Sequence, residues 1–75
     1  MEVLETFTFR GGPERGGLLL TLEFDKDAGL YFAYLEGDRC KKLLAPARPG
    51  RYLVEAYFNE IKASYEAQAV AEGVS

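Results

Sequence analysis

The feature that most constrains the fold is a change in the spacing of apolar residues near residue 46. Before this point apolar residues recur at every second position, most regularly in residues 18–25, and this spacing is typical of a half-buried strand. After it the spacing becomes three or four, which is typical of an amphipathic helix whose apolar stripe comprises Val54, Phe58, Ile61, Tyr65 and Ala69. Residues 46–50 contain two prolines and a glycine and suit neither element.

The pattern predicts an α+β fold, a four-stranded antiparallel sheet with one C-terminal helix packed on one face. We expect strands at residues 2–10, 18–25, 30–36 and 39–45, followed by a helix at residues 51–72. The 75 residues suit one domain, residues 1–75. Lys41 and Lys42 indicate that the fourth strand lies at an edge, because lysines there discourage pairing with another strand.

The composition lacks the side chains on which most enzyme sites depend. There is no histidine and only one cysteine, so the commonest general base and a structural zinc site are both excluded. Neither serine lies in a nucleophile motif, and the glycines around Pro13 lack the spacing of a phosphate loop. Acidic pairs such as Asp25 with Asp27 lie at turns, where we expect them to be solvated. We therefore predict a non-enzyme without catalytic residues, cofactor or metal.

The single cysteine, Cys40, has two interpretations. It is flanked by Arg39 and Lys41, which would favour a reactive thiolate. A lone strand cysteine more often serves as a small buried hydrophobe, and this is the interpretation we prefer. One cysteine forms no internal disulfide, and the first residues show no signal-peptide pattern. No apolar run approaches the length that spans a bilayer. We expect a cytoplasmic protein with no membrane partner.

One helix cannot cover both faces of a sheet of this size. If Val3, Phe32 and Tyr34 face the helix together with Leu20 and Leu22, the opposite face carries a second apolar set. Its members are Leu4, Leu19, Tyr31, Ala33 and Leu35. Such a patch is larger than a small monomer normally exposes, so we predict a homodimer interface. The alternative is that loops shield the second face of the central third strand.

Basic residues cluster between the last predicted strand and the helix. They are Arg39, Lys41, Lys42, Arg48 and Arg51, and no acidic residue interrupts them in an otherwise acidic chain of net charge −3. This basic cluster predicts a contact with the phosphates of single-stranded nucleic acid or with an acidic protein partner. The alternative is a protected edge strand followed by a solvated loop.

Residues 56–65, Ala-Tyr-Phe-Asn-Glu-Ile-Lys-Ala-Ser-Tyr, resemble the C-terminal helix of Pur-alpha-type repeats. The order of four strands and a helix also resembles that family and the related Whirly single-stranded DNA-binding proteins. The resemblance implies a curved sheet backed by a helix, two paired units and single-stranded nucleic acid bound on the sheet. It implies that Tyr31 stacks on a base and that Arg39 and Lys41 contact phosphates. Residues 50–65 also resemble the end of KTSC domains, although here the glycine lies further from Tyr57.

Two functions are compatible with these observations. The first is a non-catalytic binding module that forms a homodimer and binds single-stranded nucleic acid through the sheet and a basic edge. The second is a protein–protein interaction module, such as a small acidic inhibitor or an accessory subunit of a larger complex.

Overall fold

The computed structural model describes residues 1–73 and confirms the predicted α+β class, with one helix packed on a four-stranded antiparallel sheet. The strands lie in chain order and the helix follows them. Their bounds are β1 (Glu2–Phe9), β2 (Leu18–Asp25), β3 (Leu30–Glu36), β4 (Lys41–Leu43) and α1 (Arg51–Ala71). The last two residues of the predicted domain, Val74 and Ser75, lie outside the described residues.

The hydrophobic core lies between the helix and the middle of the sheet. β2 contributes Leu20 and Leu22, β3 contributes Ala33, and the helix contributes Val54 and Phe58, all of them buried. Partly buried side chains surround this centre: Leu4, Phe7, Tyr31, Leu35, Leu44 and Ile61. The period of 3.6 residues therefore located the buried stripe of the helix correctly.

The turn between β2 and β3 decides which face of β3 meets the helix. Asp25 lies opposite Leu30, so each even-numbered residue of β2 faces an odd-numbered residue of β3, as in the pair Leu22 and Ala33. The prediction that Phe32 and Tyr34 face the helix is therefore wrong. Both faces of β3 are apolar, so alternation alone could not select one, and the turn length sets the register instead.

A β-bulge changes which residues of the first strand face the helix. The register with β2 shifts between Val3 and Glu5, which leaves Leu4 as an extra residue. After the bulge, Phe7 lies opposite Leu20 on the helix side, whereas before it Val3 lies opposite Glu23 on the other side. The bulge reverses the predicted faces of Val3 and Leu4, because one inserted residue exchanges the two sides of a strand.

The fourth strand is shorter than predicted and lies at the edge of the sheet, as expected. Residues 37–40 form the connection instead, in which the N–H of Gly37 donates to the carbonyl oxygen of Cys40 at 2.8 Å. Glu36 then pairs with Lys41. Further along the chain, the backbone of Arg48 pairs with Tyr31, so the outer edge of β3 is covered along most of its length.

Two ion pairs show the direction in which the helix crosses the sheet. Arg51, in the first turn of α1, pairs with Glu5 of β1, and Arg10, just after β1, pairs with Glu72 at the other end of the helix. The helix therefore crosses the sheet with its last turns beside the end of β1. In residues 1–73, no helix is sufficiently long and apolar to cross a membrane.

Candidate functional site

The face of the sheet that lies opposite the helix is the candidate site, and we call it the uncovered face. The pairing register places six apolar side chains on it: Val3, Leu19, Leu30, Phe32, Tyr34 and Leu43. Val3 is 53% exposed and Leu43 is 43% exposed, while the other four are half-buried. α1 is the only α-helix of the described chain, and it packs on the other side, while a single 3-10 turn at Pro13–Arg15 lies in the loop after β1. No second layer of residues 1–73 therefore shields this apolar surface.

Four of the five predicted interface residues lie elsewhere. Ala33 is fully buried beneath the helix, and Leu4, Tyr31 and Leu35 pack around the same core. Only Leu19 lies on the uncovered face. Assigning the other four to this face was wrong, because the β2–β3 register and the β1 bulge exchange the faces of their strands. The sheet has an apolar face without a helix, as predicted, but different side chains form it.

A polar group sits at the centre of the uncovered face. Glu23 of β2 is only 6% exposed, although no helix or strand covers it. The Thr21 hydroxyl donates to Glu23 Oε2 at 2.8 Å, and Lys41 Nζ lies 3.5 Å from the same oxygen. Lys41 belongs to β4, two strands away, so its side chain extends across β3 to reach Glu23. The alternation of β2 shows Glu23 as an outward residue but gives no sign of this distant partner.

The same lysine lies over one of two stacked aromatic rings. The rings of Phe32 and Tyr34 are nearly parallel, with an interplanar angle of 11° and centroids 5.8 Å apart. Lys41 Nζ lies 4.5 Å from the centroid of the Tyr34 ring, within the range of a cation–π interaction. Phe32 precedes Tyr34 by two residues on the strand, and Lys41 pairs two residues beyond it. The Tyr34 ring therefore lies between them, and a nucleic-acid base would have to displace one of them to stack on it.

The resemblance to Pur-alpha repeats implies a stacking role for Tyr31, but this side chain lies on the helix side. Its ring packs against Phe24 with centroids 4.6 Å apart, and it borders the core. On the uncovered face the aromatic side chains are Phe32 and Tyr34 instead. The sequence could not distinguish these positions, because residues 30–36 alternate between two apolar sets.

The five residues of the basic cluster do not share one surface. Lys41 is paired with Glu23, and Arg51 is paired with Glu55 at 3.1 Å and with Glu5 at 3.7 Å. Lys41 and Lys42 are neighbours on a strand, so their side chains leave opposite faces of the sheet. The remaining arginines and lysine are exposed and form no ion pair within residues 1–73: Arg39, Lys42 and Arg48.

Cys40 lies in the turn before β4 and is exposed, so the preferred interpretation as a buried hydrophobe is wrong. The strand ends before reaching it, because residues 37–40 form the connection. In the part of the chain that the structure describes, no three cysteine or acidic side chains come together in a way that would hold a metal ion.

Comparisons with protein-family models, with curated proteins and with solved structures find no match for this chain. The resemblance to Pur-alpha and Whirly proteins stays a prediction.

Proposed function

We propose that this chain is a non-catalytic binding module that works as a homodimer joined through the uncovered face of its sheet. The observation that carries the proposal is the set of six apolar side chains on a face without a second layer. Burying such a surface in a dimer stabilises a small protein, since each Å² of apolar area removed from water contributes about 25 cal/mol of free energy.

Two such faces are suited to packing against each other. Sheets stack about 10 Å apart, with the side chains of the two inner faces interdigitating. The parallel rings of Phe32 and Tyr34 supply the largest contact area at the centre, and Thr6 and Thr8 supply a polar border. Glu23 needs no new partner on dimerisation because Lys41 and Thr21 already contact its carboxylate. Its burial in the interface would leave no unpaired charge.

The molar mass of the protein, measured by light scattering from low to high micromolar concentration, tests this proposal. We expect a dimer that dissociates on dilution, and we expect Phe32→Ser to weaken it at least about tenfold, which corresponds to about 1.4 kcal/mol. Val70→Ser is a matched control, since Val70 is 80% exposed on the helix, on the other layer of the molecule. A protein that is monomeric at every concentration, or a dimer equally stable in both variants, would refute the proposal.

A second candidate is the binding of single-stranded nucleic acid along the edge of the sheet. The favouring observation is that Arg39, Lys42 and Arg48 are exposed and have no acidic partner in residues 1–73. The uncovered face itself is a poor phosphate surface, because it carries Glu23, Asp25 and Glu36. The contact would therefore follow the β3–β4 edge and leave the bases away from Tyr34.

Fluorescence anisotropy with a labelled single-stranded oligonucleotide tests this candidate. We expect binding at low salt that weakens as salt is added. The logarithm of the binding constant should decrease linearly with the logarithm of the salt concentration, and each phosphate contact that is removed should make this slope less steep by about 0.7 for single-stranded nucleic acid. Lys42→Ser should reduce the slope. Lys62→Ser should not, because Lys62 belongs to the helix and not to the β3–β4 edge. Absence of binding at low salt would eliminate this candidate and leave the interaction with another protein as the remaining alternative.

A further inference from the structure

The outer edge of β1 has backbone groups that no other strand uses. The hydrogen bonds between Tyr31 and Arg48 show that odd-numbered residues of β3 point their N–H and C=O groups away from β2. Because of the register between β2 and β3, the even-numbered residues of β2 point their N–H and C=O groups toward β1, where they pair with Phe7 and Phe9. The N–H and C=O groups of Thr6 and Thr8 therefore point outward, toward the free edge.

This edge is less protected than the edge at β4. β4 has only three residues and carries Lys41 and Lys42, both of which oppose the addition of another strand. In β1 the bulge at Leu4 interrupts the first half, but residues 6–9 pair regularly with β2 and contain no charge and no proline. Residues 6–9 therefore form a regular strand edge with free hydrogen-bonding groups.

An apolar cavity lies beside this free edge. It has a volume of about 260 Å³, and Phe7 and Phe9 of β1 line it together with Ala69 and Val70 of the helix. Glu66, one turn earlier on the helix, and Arg10, just after β1, also line it. Arg10 is paired with Glu72, whereas Glu66 has no cationic partner among the described residues. A strand added to β1 would direct every second side chain to this side of the sheet, beside Phe7 and Phe9.

We propose that the edge of β1 and the adjoining cavity bind an extended peptide segment of another protein as a fifth strand of the sheet. The backbone of the segment would pair with Thr6 and Thr8, one aliphatic side chain would fill the cavity, and a lysine or arginine would pair with Glu66. This is strand addition, in which main-chain hydrogen bonds give affinity and side-chain pockets give specificity. The side chains of Thr6 and Thr8 border the uncovered face, but their backbone groups point outward in the plane of the sheet, so a dimer joined through that face would keep both β1 edges free.

The direction of the helix predicts the order of the recognised side chains. The helix runs from Glu5 toward Arg10, in the same sense as β1. The Tyr65 ring lies 5.0 Å from the Phe9 ring, so Glu66 lies at the level of Phe9 and Val70 lies one turn further along, toward Arg10. An antiparallel segment would run the opposite way and would pass the level of Val70 before that of Glu66. Its aliphatic side chain would therefore come first, followed two residues later by its basic side chain.

Selection from a random nine-residue peptide library displayed on phage, with the purified protein as bait, tests this proposal. We expect enriched peptides to carry an aliphatic residue two positions before a lysine or arginine. Thr8→Pro should abolish their binding, because proline removes an outward N–H without touching the hydrogen bonds to β2. Glu66→Lys should weaken it at least about tenfold, the loss of about 1.4 kcal/mol. Thr8→Val is the control, since it changes the side chain and keeps the backbone donor.

Three outcomes would overturn the proposal: no enrichment, enriched peptides without this pattern, or enriched peptides that bind equally to the protein and to Thr8→Pro. Circular dichroism of Thr8→Pro shows whether the variant is folded, and Glu66→Lys tests the site independently if it is not. A fall in the molar mass of the protein alone in Thr8→Pro but not in Thr8→Val would show that a second copy occupies the edge, since both variants change the Thr8 side chain at the border of the uncovered face. Because Phe32→Ser tests the other face, the two proposals fail separately.

Discussion

Lys41 and Glu23 form an ion pair across the uncovered face, with Nζ 3.5 Å from Oε2, although a whole strand, β3, lies between their positions in the sheet. The carboxylate is nearly buried, whereas the lysine side chain is 48% exposed. The lysine thus shields a charged group that no part of the helix covers, and it shields the Tyr34 ring as well. One lysine side chain therefore contacts both the buried carboxylate and the neighbouring ring on this face.

Removing this lysine should destabilise the protein. Lys41→Met keeps most of the side-chain volume but leaves the Glu23 carboxylate with Thr21 as its remaining partner. We expect a loss of about 1–2 kcal/mol in the free energy of unfolding, below the range for a fully buried pair because Lys41 is half-exposed. Urea denaturation measures it. Lys42→Met is the matched control, and an equal loss in the two variants would show that the ion pair contributes nothing.

Truncating Phe58 should have the largest effect of any single helix substitution. Its side chain is 1% exposed at the centre of the core, and Phe58→Ala removes it together with its contacts. We expect a loss of about 3–5 kcal/mol, a large part of the 4–11 kcal/mol expected for a domain of this size. Tyr57→Ala is the adjacent control, since Tyr57 is 52% exposed and should cost less than about 1 kcal/mol. Thermal unfolding of similar midpoint in both variants would contradict this.

Gly17 should not accept a side chain. It follows the loop after β1, where a Cβ would collide with the carbonyl oxygen of Phe9. Gly17→Ala must therefore move one of two adjacent strands, at a cost of about 1–3 kcal/mol in chemical denaturation. If the alanine variant unfolded at the same denaturant concentration as the original protein, the Gly17 backbone could not lie so close to the backbone of Phe9.

The start of the helix offers a stabilising substitution. Gly50 precedes α1 with extended backbone angles, φ −94° and ψ 116°, but provides no side-chain hydrogen bond, and space around its Cα is open. Gly50→Ser should add a cap to the free N–H groups of the first turn and stiffen the unfolded chain, a gain of about 0.5–1 kcal/mol. Gly50→Ala stiffens the chain without capping the helix. A serine variant no more stable than the alanine variant would exclude the capping contribution.

The sequence predicted the elements whose apolar pattern fits only one type of secondary structure and only one buried face. β2 alternates strictly and the helix shows one stripe, and these patterns predict Leu20, Leu22, Val54 and Phe58 as core residues, which the structure confirms. The α+β class follows from these two elements and from the break at residues 46–50. Each of these predictions depends on neighbouring residues alone, and this is why the sequence sufficed.

The sequence failed where the answer depends on pairing between distant residues. β3 has apolar residues on both faces, so only its register with β2 places Ala33 in the core and Tyr34 on the uncovered face. The bulge at Leu4 contains no glycine or proline to mark it. The contact between Glu23 and Lys41 depends on the same register. The uncovered face was thus predicted as a surface, but most of its residues were not.

The position of the helix after all four strands has a consequence for synthesis on the ribosome. The sheet is translated first, and the sides of Leu20, Leu22 and Ala33 that face the core have no cover until Val54 and Phe58 emerge. At about 5–20 residues per second, the interval between the end of β4 and the middle of the helix lasts roughly 1–3 s. During this time both apolar faces of the nascent sheet are exposed to water, and such exposed surface makes a partly folded chain prone to aggregation.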